Sequence, residues 1–103
     1  VQEILASNRI RILDKEHYSV DLEYTKDFAI LHLPRVDRFN KSVYLDMKST
    51  IKSIWERVLF HGWTSLWVAI PETDEALGKL VSRLGFVYSG SADNMNVFEY
   101  GEV

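Results

Sequence analysis

The densest run of polar chemistry in the chain is Arg35-Val36-Asp37-Arg38-Phe39-Asn40-Lys41-Ser42, three cations against one carboxylate in a chain of formal net charge −3. Cationic side chains beside a helix start, with free backbone N–H groups and the positive end of the helix dipole, make a site for an anion such as phosphate. Glycine usually permits close approach of backbone to a pyrophosphate, and positions 35–42 contain none. Just upstream, His32 is the one side chain near this loop whose ordinary pKa is close to neutral, which makes it the candidate general base. A hydrogen-bonded strand histidine is the structural alternative. His17 falls on a polar strand face and His61 at a helix end, where a cation suits the dipole. The three histidines share no i,i+4 spacing and no carboxylate pattern, so no metal site is expected. With no cysteine in the chain, a disulfide framework, a thiolate zinc site and a Cys nucleophile are excluded, and a reducing, cytoplasmic compartment is expected.

These residues must be positioned by a small α/β (α+β) domain. One hundred and three residues support one core, and 47% hydrophobic against 26% charged residues is a globular balance. A single domain over residues 1–103 is expected, because no linker, repeat or low-complexity tract divides them. The chain opens on Val1, so an initiator Met has been removed or residues precede it. Acidic net charge argues against a general nucleic-acid partner, and no apolar run reaches the roughly 18 residues a membrane helix needs.

Val1–Ser7 reads as a short helix, Arg9–Leu13 as a strand, and His17–Tyr24 as a strand alternating between Tyr18, Val20, Leu22, Tyr24 and a polar face. Arg9 and Arg11 are placed to meet Asp21 and Glu23 on that polar face. Phe28–Pro34 and Leu66–Ile70 are apolar on both faces, the pattern of parallel strands covered on both sides. Between them, Met47, Ile51, Ile54, Trp55 and Val58 mark a long helix, capped by Asn40 or Ser42 and ended at Gly62. Strand, helix and strand make a βαβ crossover with its two strands parallel. A second helix opens at Thr73 or Asp74, carries an i,i+4 Glu75–Lys79 pair and closes at Gly85. A hairpin of Phe86–Gly90 and Met95–Tyr100 follows. The expectation is a mixed sheet of about six strands, with helices on both faces.

This order, with Ala69-Ile70-Pro71-Glu72-Thr73-Asp74-Glu75-Ala76 running on to Leu84-Gly85-Phe86, resembles the GNAT superfamily of acyl-CoA-dependent N-acetyltransferases. It is similar in particular to compact GNAT-like proteins of tailed phages. The likeness spans roughly residues 27–100, with residues 1–26 as a shortened N-terminal part. It implies a truncated GNAT-like fold in which the pantetheine of acetyl-CoA lies between two splayed central strands, along Leu31 and Leu33. Its pyrophosphate would sit on Val36–Ser42, held by Arg35, Val36, Arg38, Asn40, Lys41 and Ser42. The chain departs from the family pattern where the loop glycines are missing. Asp74 also replaces a common Asn, and Val81 stands where many members place a proton-donating Tyr; Tyr88 offers another hydroxyl.

Two functions follow. One is acyl transfer from acetyl-CoA to an amine, with His32 as base. The other is a non-catalytic GNAT-fold module that binds a protein partner, as a phage virion component, an inhibitor of a host enzyme or a homo-oligomer. In that reading Trp63, Tyr44, Phe39 and Tyr18 are the candidate exposed anchors.

Overall fold

A computed structural model describes residues 8–37 and 39–101. The expected helix over Val1–Ser7 therefore lies outside the described residues, as does Arg38. The elements run β1 (Asn8–Asp14), β2 (Tyr18–Tyr24), β3 (Ala29–Val36), α1 (Lys41–Phe60), β4 (Leu66–Pro71), α2 (Glu75–Leu84), β5 (Phe86–Ala92) and β6 (Met95–Tyr100). They form one six-stranded mixed sheet in the order β1-β2-β3-β4-β6-β5. The first three strands are an antiparallel meander, β3 and β4 are parallel across α1, and β4, β6 and β5 are antiparallel.

Local chemistry sets the boundaries. Asn40 caps α1, its side chain accepting from the Val43 N–H at 2.9 Å, and Asp74 caps α2 through the Leu77 N–H at 3.1 Å. Gly85 ends α2 with φ +114°, and a Cβ there would meet the Tyr100 ring at 3.0 Å, so only glycine fits this turn. The β5–β6 turn is tighter than the sequence pattern implies. Asp93 and Asn94 take φ of 53° and 65°, leaving a two-residue connection and extending β5 to Ala92.

The expected cover on both sheet faces is not what the fold does. Antiparallel partners share a face, which puts Leu22, Leu31, Tyr24, Ala29, Val68, Phe98 and Tyr100 on one side. Helix α2 meets that side at Phe98, where a Cβ on Gly78 would lie 3.9 Å from the ring, and α1 meets it where Trp55 packs 5.2 Å from Tyr100. Val43, Met47, Ile51, Ile54 and Val58 of α1 and Val81 and Leu84 of α2 join the same core. Both described helices thus lie on one face. The reverse face, with Phe28, Ile30, Trp67, Ala69 and Val97, is uncovered among the described residues. Apolarity on both faces reported where apolar residues stand, and two helices on one side leave the second face to something else.

The polar side of β2 also differs from expectation, because Ser19 and Asp21 are buried rather than wet. Both Arg9 and Arg11 converge on Asp21, with the Arg9 Nε 3.1 Å from Oδ2. The hydrogen bond from Arg11, then that from Arg9, holds the Asp21 carboxyl below the usual carboxylate range. Asp46 is depressed in the same sense by the Tyr18 hydroxyl at 2.7 Å and the Lys15 ammonium at 2.9 Å. A lowered native pKa contributes stability that is present above the unfolded value of about 3.9 and is lost as pH falls through the native value. Urea unfolding is therefore expected to show stability falling below about pH 4. Asp21→Asn should lose about 1 kcal/mol at neutral pH, and the difference from wild type should shrink as pH falls below about 3.9, where the unfolded chain takes up a proton that the native carboxylate resists.

Candidate functional site

Strands β3 and β4 pair at only two positions, Ala29 with Leu66 and Ile30 with Trp67. Beyond them β3 runs on to Val36 and β4 to Pro71 without meeting. The cause lies on both sides of the gap. A bulge on β3, where the register jumps from His32 to Arg35 against Asp21 to Ser19, re-aims the strand, and Pro34 inside it has no N–H to offer a ladder. Strand β4 meanwhile is held by β6 from Trp67 to Pro71. The two strands open into a wedge.

On the helix side a cavity of about 530 Å³ lies between the end of β3, beyond its last pair with β4, and α2. Leu33, Val36 and Phe39 line one wall and Ala76, Leu77 and Leu80 the other, with Asp74, Lys79 and Arg83 as the polar groups. A neighbouring hollow of about 300 Å³ at the start of α1 shares Phe39 and Arg83 with it and adds Asn40, Lys41 and Tyr44. Tyr44 is fixed there by a 2.9 Å hydrogen bond from its hydroxyl to the Arg83 carbonyl. Lys41, Lys79 and Arg83 form no ion pair among the described residues. The site is apolar at its centre and cationic at its rim, apart from Asp74, whose carboxylate is turned to capping.

Only some of the expected residues come together here. Leu33 and Val36 line the cleft, and Lys41 stands at its edge. Leu31 does not, because its side chain is fully buried in the helix-side core. Ser42 is exposed in the first turn of α1 and lines neither hollow. Asn40 spends its side chain on the helix cap, which satisfies one of the N–H groups a phosphate would need.

Arg35 is the clearest correction. It belongs to β3 rather than to a loop, and its guanidinium clamps the β1–β2 turn. The partners are the Asp14 carboxylate at 2.9 Å, the Asp37 carboxylate and the carbonyls of Lys15, Glu16 and Tyr18. The two terminal nitrogens of Arg35 are thus engaged by two carboxylates and three carbonyls. The Asp14 hydrogen bond, with that to Asp37, raises its pKa further.

The bases and acids fall elsewhere. His32 lies on the uncovered sheet face, with Nε2 2.8 Å from Glu23 Oε1. The sequence pattern pairs Glu23 with the β1 arginines; the β2–β3 register, Glu23 against Ile30 and Asp21 against His32, sets it diagonally across from His32. The Tyr88 hydroxyl bonds Ser91 Oγ at 2.7 Å on exposed β5, and Val81 is buried, so neither supplies a donor to the cleft. Lys79 and Arg83 were legible as an i,i+4 pair beside Ala76 and Leu80; Lys79 lines the cleft instead of pairing with Glu75. Among the described residues no group of three or more His, Asp or Glu side chains is placed to hold a metal ion, and no helix is long and apolar enough to cross a membrane.

The chain matches no protein-family model and no curated protein.

Because Arg35 ties the turn together, Arg35→Ala should lower the denaturant midpoint. Lys41→Ala, at an exposed position without an ion-pair partner among the described residues, should stay within about 0.5 kcal/mol. Denaturant midpoints of the two variants check this.

Proposed function

We propose that the protein is a GNAT-like acyl-CoA-binding domain that transfers an acyl group to an amine. The single observation that carries this reading is the early divergence of β3 from β4. Past Ile30, the backbone groups of β3 that face β4 have no strand partner, and an amide-bearing chain in the wedge would pair with them as a short extra strand. Pantetheine is such a chain. The donor set fits the cofactor in outline: Leu33, Val36, Leu77 and Leu80 would flank the arm, and Lys79, Arg83 and Lys41 would meet the phosphates. The cations of α2 thus replace the glycine-rich turn that positions 35–42 lack.

When bound, acyl-CoA supplies the activated thioester. The acceptor amine would come to the wedge from the uncovered sheet face, where His32 stands with its Nε2–H donated to the Glu23 carboxylate and Nδ1 left to accept the amine's proton. With Val81 buried and Tyr88 turned to Ser91, water supplies the proton that the leaving thiolate takes up.

One observation favours the second reading, a non-catalytic module that binds a protein partner or a second copy. The uncovered sheet face carries an apolar hollow of about 290 Å³ lined by Phe28, Ile30, Trp67, Val68, Ala69 and Val97. The anchors expected from sequence do not serve it. Tyr18 is buried, Trp63 and Tyr44 are half-buried and hydrogen-bonded, and of the four only Phe39 is exposed.

Thermal melts with and without acetyl-CoA separate the two. At about 100 times its dissociation constant the ligand adds about 2.7 kcal/mol, a rise of roughly 10–20 °C for a domain of this size. Lys79→Ala/Arg83→Ala should abolish the rise, and Arg35→Ala should keep it from a lower starting temperature. No rise in the wild-type chain overturns the acyl-CoA reading. The protein-binding reading then requires an association, seen by light scattering, that Trp67→Glu releases.

A further inference from the structure

The largest hollow among these cavities is not the wedge. It lies on the other flank of α1, measures about 630 Å³, and shares no residue with the cleft described above. Its origin is a mismatch between α1 and the β1–β2 hairpin. The stripe of α1 that overlooks the hairpin is Asp46, Ser49, Thr50, Ser53 and Arg57, spaced i, i+3, i+4, i+7 and i+11. Opposite it stand Ile12, Leu13 and Leu22, half-buried and apolar. Ser49 and Ser53 are too short to close the gap. From residue 46 to residue 57 the groove follows α1 for about 16 Å at about 1.5 Å per residue.

The two ends of the groove differ in charge. At the first, Lys15 Nζ is 2.9 Å from Asp46 Oδ2, and the Tyr18 hydroxyl is 2.7 Å from the same oxygen, so the cation there is already matched. At the other end Arg57 has no carboxylate among the described residues. Beside it the Trp63 ring is fixed by its Nε1 donating to the Thr25 carbonyl at 2.7 Å and by an edge contact with Tyr24 at 5.5 Å. The groove therefore has an apolar floor, a hydroxyl-bearing wall and one unmatched guanidinium. A pocket of this size, with an apolar floor and its polar groups gathered on one wall, has the form of a small-molecule site.

We propose that this groove binds an anionic amphiphile, a carboxylate on an apolar chain. The carboxylate sits on the Arg57 guanidinium, whose planar fork suits it. The apolar chain runs along Leu22, Ile12 and Ile54 toward Leu13. Nothing in this proposal requires acyl transfer at the wedge.

Titration of the full chain with dodecanoate, followed by NMR of side-chain methyl groups, tests it. Saturable shifts are expected at Ile12, Leu22, Ile54 and Val58, without shifts at Leu77 and Leu80 across α1. Arg57→Gln should weaken dodecanoate about tenfold or more and leave the uncharged alcohol, dodecanol, unchanged. Ser53→Leu, at an exposed helix position that tolerates leucine, should abolish both while leaving the melting temperature intact. Shifts confined to Leu77 and Leu80, or no saturable shift, overturn the proposal. So does equal binding by wild type and Ser53→Leu, or an undiminished affinity in Arg57→Gln. A chain beginning at Asn8 that binds dodecanoate when the full chain does not makes residues 1–7 the occupant, and overturns it too.

Discussion

The parting of β3 from β4 is the constraint on which the arrangement depends. Two parallel pairs join the meander to the rest of the sheet, and then the strands separate. A bulge containing Pro34 bends one strand, and the ladder to β6 holds the other. Had β3 paired along its full length, the gap between its end and α2 would close, and Leu33 and Val36 would have no cavity to line. The fold accepts unpaired backbone along this edge, and such edges are ordinarily covered or occupied.

One-sided packing is the second organising feature. Both helices use the same sheet face, so the buried core is a sheet–helix layer with Leu31, Met47, Ile51, Leu66 and Leu84 at its centre. The reverse face divides by chemistry. Near β1 it is ionic, with Arg9 and Arg11 around Asp21 and His32 beside Glu23, and toward β4 and β6 it is apolar, with Trp67 and Val97. His32 therefore stands where an ionic region meets an apolar one.

Much of this was legible in the residues. The spacing of Met47, Ile51, Ile54 and Val58 located α1 and its buried stripe, and Asn40, Asp74 and Gly85 marked helix ends through capping chemistry that acts within a few residues. Order and direction of the two central strands followed from the helix between them. What was not legible depends on partners distant in sequence. Arg35 reads as a loop cation until the β1–β2 turn folds back on it, 17 to 21 residues away. Which face a helix covers is set by the path of the connections, and an apolar pattern on Trp67 or Ile30 carries no information about it. Lys79 reads as the partner of Glu75, and nothing local singles out Arg83, because the cavity that both line exists only once β3 has turned away.

The wedge as a binding slot is the central claim, and backbone amide NMR of the full chain during addition of CoA tests it most directly. The account predicts saturable shifts concentrated at Leu33, Val36, Leu77, Leu80 and Arg83, with Ile10 and Leu13 on the far hairpin unmoved. Shifts that bypass these five positions, or a spectrum that CoA leaves unchanged, would contradict it.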